Sequence, residues 1–282
     1  MALSHSSSVQ QARQLLADRL GEIRRDAGLT GRDLARMCGW HPSKSSRIEN
    51  ARTPPSAEDI RAWCRACRAG DQEENLVASL RAVEGMFIEW RRMERAGLRQ
   101  AQEARLPLYE RTRRFRAYSS WLVPGLIQTR AYTTAALQAI QQRRALVDDV
   151  AQAVAARIAR QHVLHEGDHR FAFLIEESVL RGGIGGPGVM AGQLGHLITI
   201  GTLPNVSLGI VPMRPDRTRW PCEGFWIYDS AQANVELVSG YLTITQPAEI
   251  EQYATTFAEL ADAAVYGTRA RALITAAIDA LG

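Results

Sequence analysis

Lysine is almost absent from this 282-residue chain: arginine supplies 33 of its 34 basic residues, and Lys44 is the single lysine. Four cysteines are too few for a disulfide scaffold of this size. Only Cys64 and Cys67 stand close together, with no second pair to complete a zinc site. That C-x-x-C falls in a helical pattern, so both thiols share one face and are expected to pack as small apolar groups. No apolar run approaches the ~20 residues that span a bilayer. Met1–Val9 has neither the basic start nor the apolar stretch of a signal peptide, so a cytoplasmic location and no membrane partner are expected. G-x-S-x-G, H-E-x-x-H and D-x-D are missing too, so the sequence names no catalytic residue and no metal site, and no enzyme activity or cofactor is expected.

What is present supports a folded protein. At 46% hydrophobic and 23% charged, the chain can bury a sizeable core, which excludes a disordered tail. Its length suits one large or two ordinary domains. Charge is unevenly spread. Residues 1–70 hold 12 basic and 7 acidic side chains, residues 71–118 hold 10 and 8, and residues 119–282 hold 12 and 15. A positive head on a slightly acidic body is expected of a nucleic-acid-binding module joined to a part with another task.

Residues 11–70 read as four helices. The first runs from about Gln11 to Ala27 and stops at Gly28. The second is capped by Thr30 and ends at Gly39. The third opens on Pro42, a residue suited to the first helical position. The fourth starts at Ser56, where Ser56 and Asp59 form an S-x-x-D capping box. A long helix is expected over 71–104. Its stripe Leu76, Leu80, Val83, Phe87 and Trp90 either packs on its own body or serves dimerisation. Beyond Pro107 a helix-rich stretch is followed by strand-like runs at Phe171–Glu176, Val206–Val211, Phe225–Tyr228, Asn234–Val238 and Tyr241–Thr245. Helices are expected at about Val189–Ile200, Ala248–Val265 and Thr268–Leu281. The expected fold class is therefore α+β. An all-α helix-turn-helix bundle (1–70) leads through a connecting helix (71–106) into a larger α+β domain (107–282) with a mainly antiparallel sheet.

Residues 31–48 carry the strongest local pattern. A helix-turn-helix needs a small residue where its helices cross, a glycine at the turn and an apolar lock. Ala35, Gly39, and Leu34 with Ile48 supply these. Ser45 stands where Val or Ile is usual, and its hydroxyl is expected to bond back to the helix backbone and soften it. The third helix is expected to enter the major groove, with Ser43, Lys44 and Arg47 reaching bases or phosphates. Arg32 and Arg52 are the expected phosphate contacts.

The larger domain holds several polar clusters. His162, His165, Glu166, Asp168 and His169 match no metal spacing and read as a solvated helix end. Gly182–Gly188 is glycine-rich but lacks the pattern of a phosphate or dinucleotide loop, and reads as a turn into a helix. Two readings stay open for Arg157, Arg160 and Glu176 with the aromatics Trp220, Phe225, Trp226, Tyr228 and Tyr241. They converge on a ligand or partner pocket, or the aromatics form the sheet core while the Arg–Glu set ties a helix to a strand. Arg157, Arg160, Glu176, Trp220 and Phe225 are the candidate partner or ligand residues.

Residues 17–68, with Ala27-Gly-Leu-Thr30, Leu34-Ala-Arg36, Gly39-Trp40 and His41-Pro-Ser-Lys-Ser-Ser-Arg-Ile-Glu-Asn50, resemble the Xre-type helix-turn-helix. The remainder resembles the DUF5753 domain of actinobacterial Scr1-type, antitoxin-like regulators. The likeness rests on Val123-Pro-Gly-Leu-Ile-Gln-Thr-Arg-Ala-Tyr132, Arg157-x-x-Arg160-Gln161, Glu176 through Arg181, Gly185-Gly-Pro-x-Val-Met190, Gln193-Leu194, Leu203-Pro-Asn-Val206, Val211-Pro212 and Val235-Glu-Leu237. The resemblance implies a nucleoid-associated transcriptional regulator binding double-stranded DNA, often paired with a small DUF397-type protein. A homodimer is expected because two half-sites raise the specificity of one small module. The chain departs from the family in having Pro42 where Gln is common, and Glu110-Arg-Thr-Arg-Arg-Phe115 where an acidic stretch is common.

Overall fold

The computed structural model of the chain describes residues 7–213, 220 and 223–282. The chain divides into two compact units, Met1–Ile88 and Glu89–Gly282. The first is all-helical: α1 (Ser7–Asp26), α2 (Gly31–Met37), α3 (Pro42–Glu49), α4 (Ala57–Ala66) and α5 (Glu73–Met86). Local chemistry sets the helix ends. Thr30 and Asp33 exchange side-chain and backbone bonds in a capping box at α2, and Ser56 and Asp59 do the same at α4. Pro42 opens α3 behind a His41 cap. Gly28 and Gly39 take left-handed backbone (φ 70° and 68°) between helices, where a side chain would be strained. Leu16, Leu20, Ile23, Leu34, Ile48, Ile60 and Trp63 close the core, and the Trp63 indole donates to Leu20 O at 3.0 Å.

The stripe expected to lie on one long helix divides. Leu76 and Leu80, with Val77, lie in the core of this bundle, so that part packs on its own body. The expected continuous helix over 71–104 does not form. A 3-10 turn (Gly70–Gln72), α5, a short strand β1 (Phe87–Glu89), α6 (Trp90–Met93) and α7 (Leu98–Glu103) take its place. The break before α7 has a clear cause. Gly97 adopts φ 98°, and the Asp149 carboxylate, over fifty residues away, caps α7 by accepting from Leu98 N (3.1 Å) and Arg99 N (2.9 Å). A cap supplied from that distance leaves no mark in a local pattern.

The second unit continues with α8 (Leu106–Arg111), β2 (Arg114–Ser119), α9 (Arg130–Arg144), α10 (Val150–Ala159), β3 (Arg170–Glu176), α11 (Glu177–Leu180), α12 (Pro187–Ile200), β4 (Val206–Val211), β5 (Phe225–Tyr228), β6 (Gln232–Glu236), β7 (Gly240–Ile244), α13 (Pro247–Ala263) and α14 (Gly267–Asp279). Strands β2 to β7 align in the order β7-β6-β5-β2-β3-β4. The sheet is mostly antiparallel, as expected, but β2–β3 and β3–β4 pair in parallel across helical connections. Both faces are covered. Phe115, Phe171, Phe173, Ile210 and Tyr228 pack with Leu194 and Leu197 of α12 and Ile274 of α14. On the opposite face Phe225 meets Tyr253 of α13 at 5.0 Å between ring centres. Burial on two sides explains why Phe171–Glu176 reads as an almost unbroken apolar run.

Candidate functional site

The helix-turn-helix geometry follows from the residues expected to make it. Leu34, Ala35 and Ile48 are fully buried between α2 and α3, and Trp40 N donates to Ala35 O at 2.8 Å to close the turn. Ser45, at the position usually apolar, is 1% exposed. Its hydroxyl lies 3.0 Å from Pro42 O in its own helix and 3.1 Å from Gly31 O in α2. The bond back to the helix is therefore present, and the same oxygen also reaches across the helix pair. Arg24 of α1 grips Glu49 at the end of α3 through Nε and Nη2 and donates to Leu29 O, which fixes α3 from behind.

With Ser45 and Ile48 turned inward, α3 presents Ser43, Ser46, Arg47 and Asn50 to solvent. Their spacing of i, i+3, i+4 and i+7 is one stripe of a helix. Arg32 in the first turn of α2 and Arg52 beyond α3 are also exposed and flank this stripe in sequence. Lys44 is placed differently. Its Nζ donates to Asp59 Oδ1 at 2.6 Å and lies 4.5 Å from the Trp40 ring centre, tying α3 to the start of α4. Burial works against the Asp59 charge, but Lys44 and Ser56 hold its carboxyl below the usual carboxylate range. Ser46 and Asn50 were not among the expected contacts, although the i+3 and i+7 steps from Ser43 would have found them. Cys64 and Cys67 are buried in this bundle, and burial pushes the Cys67 thiol up to about 11.

In the second unit the structure brings Arg157 and Arg160 together and leaves Glu176 apart. Glu176 is buried at the end of β3, where it accepts from Tyr118 Oη at 2.5 Å. Phe225 is buried in β5, and Trp220 is 70% exposed and lines neither of the cavities beside the arginine pair. Of the polar clusters, His169 Nδ1 sits 2.7 Å from Thr112 O and His162 Nδ1 3.0 Å from Ala159 O, so both rings are engaged locally. Gly185 and Gly186 carry φ 73° and 86° just ahead of Pro187 at the start of α12.

The arginine pair adjoins a cavity of about 350 Å³ walled by α6, α7, α9 and α10, and a smaller one of about 90 Å³ that shares Arg105, Trp121, Arg157 and Glu236 with it. Arg157 donates from Nε to Gln102 Oε1 and from Nη1 to Gln128 Oε1, both at 3.0 Å. Arg160 donates to Gln102 O at 3.0 Å and lies 4.8 Å from the Tyr109 ring centre, while its buried Nε has no hydrogen-bond partner. Arg105 faces Glu236 at 3.4 Å, and Arg144 pairs with Glu94. Burial, with Arg160 and Arg105 adding repulsion, pushes Arg157 down to about 9. A guanidinium keeps its proton in a protein, so the shift marks a buried cation short of counter-charge. Sequence reasoning found Arg157 and Arg160 but missed Gln102, Arg105, Gln128 and Glu236, which come from three separate stretches of chain.

Among the described residues no helix is long and apolar enough to cross a membrane. A family model described as a helix-turn-helix domain matches residues 15–77, which supports a DNA-binding regulator. No curated protein matches the chain. A second family model, described as a domain of unknown function (DUF5753), matches residues 105–276, more than half of the length. The chain belongs to the DUF5753 family, with a helix-turn-helix domain ahead of the DUF5753 region.

Proposed function

We propose that the protein is a sequence-specific transcriptional regulator that acts as a homodimer in the cytoplasm, at the nucleoid, with α3 of each copy in the major groove. The observation carrying this reading is the exposed stripe Ser43, Ser46, Arg47 and Asn50 on a helix whose other side is buried. Arg47 is the base reader, since a guanidinium matches guanine O6 and N7, and Ser43 and Asn50 add shorter contacts. Arg32 and Arg52 hold phosphates and set the register. Lys44 steadies α3 in the free protein. The reading assigns no reaction to either unit. Selection of duplexes from a random pool at low salt tests it. The expected outcome is an enriched two-fold site with half-sites about 10 base pairs apart, and a pool showing no enrichment would overturn it.

The resemblance to Scr1-type regulators supports control by a small DUF397-type partner in an antitoxin-like pair. Co-purification with such a protein encoded next to this gene checks that part. The cavity beside Arg157 favours a second reading, in which the DUF5753 unit senses a small molecule and passes the signal to DNA binding.

A further inference from the structure

The two adjoining cavities are lined by five arginines, Arg105, Arg143, Arg144, Arg157 and Arg160, against two glutamates, Glu94 and Glu236. Both carboxylates already have partners: Glu94 is taken by Arg144 and Glu236 by Arg105. Arg157 and Arg160 hydrogen-bond only neutral groups, the amide oxygens of Gln102 and Gln128 and the Gln102 carbonyl, with the Tyr109 ring beside Arg160, and the nearby Glu236 is already paired with Arg105. Arg160 is 4% exposed. Two neighbouring cations withdrawn from water without a counter-ion are costly, and a fold keeps such a pair where something anionic completes it. The rest of the larger cavity is apolar, with Trp90, Leu98, Trp121, Leu137 and Ile140 among its walls.

We propose that the two adjoining cavities together bind a small organic carboxylate with an apolar, ring-sized body, its carboxylate held where they meet by Arg157, with Arg160 behind it in the smaller one, and its body in the larger one against Trp90, Trp121, Leu137 and Ile140. The proposal rests on the ligand-sensing reading and gives it a chemical class. Guanidinium forks match a planar carboxylate in a bidentate geometry. Gln102 and Gln128 turn oxygens toward Arg157, which orients the fork without neutralising it. The volume, about 350 Å³, suits a single small molecule. Cations are excluded by the excess of positive charge on the walls.

Calorimetric titration of the full chain tests this with three carboxylates (decanoate, 2-naphthoate and indole-3-acetate) and their neutral counterparts (decanol, 2-naphthamide and indole-3-acetamide). At least one carboxylate is expected to bind saturably, and its neutral counterpart about tenfold or more weaker. Arg157→Gln is expected to weaken the carboxylate by about tenfold and leave the neutral compound unchanged. The same variant, without ligand, is expected to melt at or above the temperature of the parent, because it removes a partly buried cation that has no counter-ion of its own. A lower melting temperature would assign the arginine a structural role and count against the site; Arg160→Gln repeats the comparison independently. Equal binding of a carboxylate and its neutral counterpart would overturn the anion site while leaving the ligand-sensing reading intact. Failure of all six compounds to bind would overturn both.

Discussion

Lys44 and Arg47 lie three positions apart on one short helix and are expected to behave differently when removed. Lys44 spends its charge on Asp59 and the Trp40 ring, whereas Arg47 is exposed on the stripe facing solvent. Arg47→Ala is expected to weaken specific DNA binding by about tenfold or more while moving stability by no more than about 0.5 kcal/mol. Lys44→Ala is expected to lower stability by about 0.5–1 kcal/mol, a partly exposed ion pair being worth no more, and to leave the preferred sequence unchanged. Melting curves and selected binding sites of the two variants check this, and a changed base preference in Lys44→Ala would return that residue to the interface. Asp59 adds a pH dependence. Its folded pKa is depressed, so its contribution to stability is complete above its unfolded value of about 3.9 and is lost as the pH falls through the lower folded value. Acid melts of the parent and Asp59→Asn are expected to differ at neutral pH, to begin converging near about pH 4 and to meet once the pH has fallen through the lower folded value. At this scale the sequence pointed to Arg32, Arg47 and Arg52, which are exposed, because arginines at a helix start and end are visible in any register, but not to Ser46 and Asn50 beside Arg47. It did not show that the single lysine was engaged, since Asp59 lies fifteen residues away and the pairing depends on where α4 crosses α3.

Elements were legible where their ends are chemical and local. The caps at Thr30, Pro42 and Ser56 were read directly, because each is satisfied within three residues. The helix expected over 71–104 was misread because distant parts of the chain interrupt it: Phe87–Glu89 is a strand, and Asp149 caps the fresh start of α7. Strand β2 went unread because its charges mask its alternation. Phe115 and Ala117 point into the core, while Arg116 leans out to donate to Asp229 O at 2.8 Å, the behaviour of a long side chain that keeps its head near water. That strand is central, flanked by β5 and β3, so missing it also hid the two parallel pairings. The glycine-rich entry to α12 was read as a turn, and the structure separates a glycine that is required there from one that is not. A Cβ on Gly185 would stand 2.9 Å from both Ala135 Cβ and Val189 Cγ1, on backbone of φ 73°. Gly185→Ala is therefore expected to cost about 2 kcal/mol from combined strain and crowding. Gly188, one residue beyond Pro187 in the first turn of α12, has open space around it. Gly188→Ala is expected to be neutral or to stabilise by up to about 1 kcal/mol. Denaturant titrations of the pair measure the contrast, and equal effects would show that the approach of α9 to this loop does not depend on glycine.

On the scale of the whole chain, the two units each carry a net charge of +2 (13 basic against 11 acidic in residues 1–88, 21 against 19 in 89–282), and the imbalance that predicts how DNA binding responds to salt lies along the sequence, between the helix-turn-helix segment and residues 119–282. Residues 1–70 carry 12 basic against 7 acidic side chains, and residues 119–282 carry 12 against 15. In the second unit, moreover, Arg160 is buried, and Arg105 and Arg144 are largely turned inward onto Glu236 and Glu94. This unit is therefore expected to control binding and to add little grip. Each phosphate neutralised by a side chain releases counter-ions and contributes about 0.9 to the slope of log affinity against log salt. On the proposed reading, Arg52→Ala removes one phosphate contact per copy. In a homodimer it should flatten that slope by about 2, and in a monomer by about 1, with affinity falling by a similar factor on every sequence. Arg271→Gln, on the exposed surface of α14, should leave the slope as it is. Fluorescence anisotropy of a labelled operator between low and moderate salt measures both. A change of about 2 for Arg52→Ala with none for Arg271→Gln fits two copies gripping DNA through their first units. An equal change for both variants would place the second unit on the phosphate backbone and remove the division of labour read from the charge.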